Sequence, residues 1–190
     1  MPRIVLSACL ALLLAAPVLA QQRPLVTEDP ETVGSGLVLF EAGFDHHWDA
    51  VYPVSGLTGD LLRLPTLGVS IGLSSIAELQ IDGGIYNRLS VTDSVAAPLS
   101  YMLDFDGDDT TSVEDIVIGT KIKLRSETAG GPAVGVRLAT KLPIASNESG
   151  LGLDTTDFFA SLLIGKTVQS IRIVGNAGLG ILADPTRGDR

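Results

Sequence analysis

The sequence predicts an all-β protein: an antiparallel up-and-down transmembrane β-barrel, incomplete, with about seven strands of a larger ring. Three observations predict it. From residue 36 onward the chain repeats a segment of about ten residues with period-2 alternation of apolar and polar side chains, followed by a break. The breaks alternate in length. Residues 47–60, 92–113 and 144–155 are long and polar, whereas 75–77, 126–131 and 168–170 are short, the layout of an outer-membrane barrel with its long loops outside. Finally, mean hydropathy is +0.36, yet beyond residue 20 there is no run of about 18 apolar residues that could span a bilayer as a helix.

Residues 1–20 are expected to be a secretory signal. Arg3 supplies the positive n-region, Ile4 to Ala16 the apolar core, and Pro17-Val18-Leu19-Ala20 the small-residue cleavage site. A membrane anchor fits less well, because polar Gln21-Gln22-Arg23 follows a short apolar core at once. Leu6-Ser7-Ala8-Cys9 has the form of a lipoprotein box, but the apolar run continues past Cys9, so cleavage after Ala20 is the better reading. Cys9 is the only cysteine, so the exported chain has neither a disulfide framework nor a cysteine metal site. Without Arg3, 12 basic residues face 22 acidic ones, a net charge of −10, which argues against nucleic acid as a partner.

Residues 21–35 carry prolines and charges without periodicity and are expected to form an extended periplasmic leader, ahead of a partial barrel over 36–190. The clearest strand is 115–125. There Ile116, Ile118, Thr120, Ile122 and Leu124 oppose Val117, Gly119, Lys121, Lys123 and Arg125. In 133–143, Val134, Val136, Leu138, Thr140 and Leu142 oppose Ala133, Gly135, Arg137, Ala139 and Lys141. In 78–91, Leu79, Ile81, Gly83, Ile85 and Leu89 oppose Glu78, Gln80, Asp82, Tyr86 and Arg88. Residues 171–182 place Ile171, Ile173, Ala177, Leu179 and Ile181 against Arg172, Asn176 and glycines; less regular strands fit 36–46, 61–74 and 156–167. Pro65, with no N–H, marks a bulge or strand end within 61–74.

A soluble β-sandwich also alternates. The barrel is favoured because the polar parity holds glycines and long cations, as suits a wet interior, while the other parity is almost purely aliphatic. Phe44, Trp48, Tyr52, Tyr101, Phe105, Phe158 and Phe159 also gather near the long-loop ends, where an interfacial girdle belongs. Bacterial single-chain barrels use an even strand number. Seven strands, followed by a polar stretch from Ala183 rather than an aromatic-ended strand, therefore lead to the expectation of a piece of a longer barrel.

Arg23-Pro24-Leu25-Val26-Thr27-Glu28-Asp29-Pro30-Glu31-Thr32-Val33-Gly34 resembles the opening of a family of bacterial outer-membrane proteins labelled putative MetA-pathway proteins of phenol degradation, often called simply transporters. Lys141-Leu142-Pro143, then Gly150-Leu151-Gly152 and Asp154-Thr155-Thr156-Asp157, resembles a second stretch of that family. The resemblance spans most of residues 23–182 and is specific in those two places. It implies an outer-membrane β-barrel longer than this chain, with a poorly defined solute and no catalytic residues to carry over.

Lys121, Lys123, Arg125, Arg137 and Lys141 share one parity on two neighbouring strands, and Arg172 extends the set. Glu41, Glu78 and Asp82 are candidate counter-charges. Such a wall either favours anionic or polar solutes by electrostatic focusing or is the compensated charge of any wet lumen. Asp104, Asp106, Asp108 and Asp109 form a weak candidate for Ca²⁺, which would also bridge to lipopolysaccharide phosphates. Asp109 and Asp115 stand where an EF-hand needs Gly and Glu, so a solvated acidic loop is the better reading. His46 and His47 point to opposite faces of a strand and do not easily share a metal. With Ser55 and Asp45 they offer the only hydrolase geometry, and no Gly-x-Ser-x-Gly accompanies it. No cofactor motif is present. The sequence thus leads to the expectation of a non-enzymatic channel or transporter for small, aromatic or hydrophobic solutes, in contact with outer-membrane lipid and lipopolysaccharide in a Gram-negative bacterium. A non-transporting structural or surface-interaction barrel is the alternative.

Overall fold

The computed structural model describes residues 27–186; the expected signal, with Cys9, lies outside them. The described residues form nine strands: β1 (Val38–Tyr52), β2 (Leu57–Gly72), β3 (Ala77–Gly84), β4 (Asn87–Ser94), β5 (Asp109–Ser112), β6 (Ile116–Arg125), β7 (Ala133–Leu142), β8 (Asp157–Val168) and β9 (Ile171–Ile181). One 3₁₀ turn, Ser100–Met102, is the only helical element among the described residues. All pairings are antiparallel, in a single sheet curled as a half-barrel.

The sheet is a meander of seven rows. On one edge β2 pairs with β1; on the other, Thr66–Gly72 pairs with β3 and Leu57–Arg63 with β4. Strands β3 and β4 are therefore halves of one row. Strands β5 and β6 are likewise halves of the next row, facing β4 and β3 respectively. Nine strands less these two shared rows leaves seven. The interruption sits at Pro65, which has no N–H to give to the ladder. Around it Leu64 N–H donates to Tyr86 O (2.8 Å) and Ile85 N–H to Pro65 O (3.2 Å).

This interruption exchanges the two faces between the halves of the rows that it crosses. Strand β3 keeps the expected alternation, but β4 is shifted: Leu89 is fully buried and Arg88 is exposed, the reverse of the sequence expectation. A one-residue slip exchanges the two faces of a strand, and the residues between β3 and β4 supply it. The expected loop at 47–60 is also corrected. Strands β1 and β2 run through it and leave only 53–56 as a turn. A register shift between His47 and Ala50, with Asp49 at φ +52, hides the continuing strand from a period-2 pattern. The expected loop at 92–113 shrinks in the same way, because β4 reaches Ser94 and β5 occupies Asp109–Ser112.

The sheet is inverted relative to a sandwich. On β3, Glu78 and Gln80 are buried while Ile81 is exposed; on β6, Lys121 is buried and Ile118 and Leu124 are exposed. On β7 and β8, Leu138, Phe158, Leu162 and Ile164 are exposed. The polar parity lines the concave side and the aliphatic parity covers the convex side. A sandwich would bury the aliphatic parity.

The hydrophobic cluster among the described residues lies on the concave side near the long loops. Leu57, Leu61 and Leu89 form it, and Tyr52, Leu103, Phe105 and Leu151 pack against it. Tyr52 and Phe105 thus turn inward instead of joining an outer girdle, whereas Phe44, Trp48, Tyr101 and Phe158 remain exposed. The loops are pinned from within. Ser55 Oγ donates to Gly150 O (2.8 Å), Thr110 Oγ1 donates to Ser149 O (2.8 Å), and Asp104 N–H donates to Glu148 O (2.9 Å). Gly150 sits at φ +76, and a Cβ there would lie 2.6 Å from Leu57 Cδ1, so the loop approaches the cluster as only glycine allows. Because Leu89 is fully buried, Leu89→Ala is expected to cost about 2–5 kcal/mol in a denaturant titration. A cost below about 0.5 kcal/mol, typical of a surface position, would return Leu89 to the outer face.

Candidate functional site

Strands β3, β6, β7 and β9 set a row of charged side chains across the concave face at the short-turn end. Register places Glu78 opposite Lys121, and Lys121 opposite Arg137. Lys121 Nζ lies 2.9 Å from Glu78 Oε1, with both side chains completely buried. None of the contacts of Nζ has hydrogen-bond geometry, so charge rather than directed bonding holds it. Glu78 also accepts from Gln80 Nε2 (2.9 Å). Arg137 donates to Gln80 Oε1 (2.6 Å) and reaches Asp82 Oδ2 at 3.5 Å. Removing one partner of a buried pair strands the other charge and costs about 3–5 kcal/mol, so Glu78 and Lys121 depend on each other.

Three further counter-charges come from the leader. Its described part, residues 27–35, runs over the concave face. Glu28 lies 3.3 Å from Lys121 Nζ and 3.0 Å from Arg137 Nε, and it also accepts from Gln80 Nε2. Asp29 receives both arms of Arg172, Nε at 2.5 Å and Nη2 at 2.7 Å. Glu31 takes Lys123 Nζ at 2.9 Å, and Val33 N–H donates to Glu78 Oε2 at 2.7 Å. With its side-chain amide oriented to satisfy both ends, Asn176 donates to Glu28 O (2.9 Å) and accepts from Glu28 N–H (2.7 Å). Pro30 is buried between two glycines. A Cβ on Gly135 would lie 3.2 Å from Pro30 Cβ, and one on Gly165 would lie 3.1 Å from Pro30 Cγ and Cδ.

Glu28, Asp29 and Glu31 were not among the residues that the strand pattern brings together. The signal for them was the surplus of cations on one parity, which calls for carboxylates from outside the strands.

The other candidates take separate places. Lys141 Nζ sits between Asp157 (2.7 Å) and Asp115 (3.4 Å), toward the long loops. Arg63 is held by Asp45 (3.3 Å) and by Glu114. Arg125 is exposed at the end of β6, past a register shift, with its guanidinium against Gly131. Asp104, Asp106, Asp108 and Asp109 do not converge: Asp109 binds Arg88 (2.7 Å) and Ser90 (2.7 Å), and no cluster of three metal-ligating side chains occurs among the described residues. His46 packs edge-on against Trp48 (4.6 Å between centroids), and the Ser55 hydroxyl is committed to Gly150. On the convex side, Ile118, Leu138, Leu142, Phe158, Leu179 and Ile181 line an open groove of about 600 Å³. No family model, curated protein or solved structure matches this chain.

A second contact ties the leader's end of the sheet to the turn between β6 and β7. Glu127 accepts from Thr167 N–H (2.8 Å) and Thr167 Oγ1 (3.1 Å), and from Arg172 Nη1 (2.7 Å). The backbone bond from Thr167 is the largest influence on its carboxyl; together with the Arg172 and Lys166 contacts it outweighs desolvation and holds the pKa down to about 2. In Asp29, burial pushes the carboxyl up, but Arg172, the Glu31 N–H and Lys121 outweigh it and leave the pKa below the usual value. Carboxylates depressed in the folded state contribute stability above their unfolded pKa and lose it as pH falls through the folded one. The protection of the Thr167 amide, measured by hydrogen exchange and corrected for intrinsic rate, is therefore expected to hold above pH 4.5 and to fall toward pH 2. Protection that is constant over that window would contradict this assignment.

Proposed function

We propose that this chain is part of the wall of an outer-membrane β-barrel whose polar concave side forms a path for small solutes. The observation that carries the proposal is the inversion of the sheet: Glu78 and Lys121 are buried inside while Ile118, Leu138, Phe158, Leu162 and Ile164 face outward. An aliphatic outer surface over a charged interior is what lipid outside and water inside require. In hydrocarbon every backbone polar group needs a partner. Strand β1 pairs only with β2 and β9 only with β8 among the described residues, so in this reading further strands join those two edges and close the ring. The resemblance of the leader to the phenol-degradation transporters supports the same class, with small aromatic or hydrophobic solutes as candidates. Matched carboxylates and cations line the path, so charge is mostly compensated and does not by itself select anions.

One observation favours a second reading, a barrel that does not transport. The leader lies over one end of the concave face, and the long loops pack over the other around Leu57, Leu61 and Leu89. Planar-bilayer recording separates the two. The channel reading expects stepwise conductance from the detergent-extracted protein assembled with whatever completes its ring. A membrane-inserted barrel that stays silent would favour the structural reading, and a protein that needs no detergent would overturn both.

A further inference from the structure

We infer that residues 28–33 are a charge-latched strap, which covers the short-turn end of the concave face and uncovers it when the latch opens. That the uncovered face is a path for solute rests on the proposed function; that the strap covers and releases it does not.

The contacts on the page have the character of a latch rather than of a core. No large apolar side chain anchors the segment; Pro30 is its one buried wedge, seated over Gly135 and Gly165. The rest of its hold is charge and hydrogen bonding distributed over four rows: Glu78 and Gln80 on β3, Lys121 and Lys123 on β6, Arg137 on β7, and Arg172 and Asn176 on β9. Three carboxylates therefore tie one short segment to β3, β6, β7 and β9 at once. The Asp29–Arg172 and Glu31–Lys123 pairs are partly exposed, and pairs of this kind are individually weak and sensitive to salt. The strap can therefore leave without disturbing the ladders beneath it. The Glu78–Lys121 pair belongs to the sheet and stays behind, so the uncovered face keeps a partner for its buried cation.

Leu163 reports on the cover. It is completely buried on the concave face, opposite Gly135 on one side and Asn176 on the other, directly beside the Pro30 seat. With Cys9 replaced by Ser, Leu163→Cys provides a single thiol for a charged, membrane-impermeant methanethiosulfonate. Combining it with Glu28→Gln, Asp29→Asn and Glu31→Gln is expected to raise the labelling rate about tenfold, since three such carboxylates each contribute about twofold. Moving the unaltered strap from low to high salt should raise the rate in the same direction. Rates indifferent to both changes would overturn the strap. A second variant needs no charge removal: Pro30→Cys with Gly135→Cys, whose Cβ positions lie 3.2 Å apart, so that a few tenths of an ångström of give brings them to disulfide spacing. The oxidised lock is expected to lower solute flux several-fold and reductant to restore it. Equal flux in both redox states of a conducting barrel would overturn the strap as a closure. Labelling that responds while no variant conducts would uphold the strap and overturn the channel reading.

Discussion

A lysine and a glutamate, Lys121 and Glu78, face each other across the β3–β6 ladder with no solvent access to either side chain. A polar group withdrawn from water is tolerated only when paired. That requirement organises the short-turn end of the concave face. Once Lys121 and Arg137 are set there by the alternation of β6 and β7, carboxylates have to reach them, and the strands supply only Glu78 and Asp82. Glu28 supplies the rest, and its neighbours Asp29 and Glu31 settle Arg172 and Lys123 in the same pass of the chain. The leader's position thus follows from the charge that the strands leave uncompensated.

The two ends of the concave face are closed by different means. At the short-turn end the cover is ionic, with one proline in a glycine notch. At the long-loop end it is apolar, with Leu103, Phe105 and Leu151 folded onto Leu57, Leu61 and Leu89. Burial of aliphatic and aromatic surface responds little to salt, whereas partly exposed ion pairs respond strongly. A single sheet therefore carries one fixed closure and one that ionic conditions can loosen.

Much of the fold was legible. The alternation in β6 and β7 assigned Lys121, Lys123, Arg137 and the opposing aliphatic residues to faces as they are found, because both strands pair in regular register over most of their length. Legibility failed where an extra residue breaks the period. Asp49 in β1 and the residues between β3 and β4 each shift the parity, which hid the end of β1 and placed Leu89 on the wrong side. The leader was legible as a segment without periodicity, but not as a partner of the wall. Its pairing with Arg172 joins residues 143 positions apart, a contact no local pattern encodes.

Every assignment of a residue to lipid or to water depends on the direction in which the sheet faces. The most direct test is a nitroxide scan of single-cysteine substitutions along β7 from Val134 to Lys141 in reconstituted membranes, with accessibility to oxygen and to a water-soluble nickel complex read at each site. Oxygen accessibility is predicted to peak at Val134, Val136, Leu138 and Thr140 and to dip at Gly135, Arg137, Ala139 and Lys141. Peaks of the nickel complex at Val136 and Leu138, or no period of two in either collision partner, would contradict it.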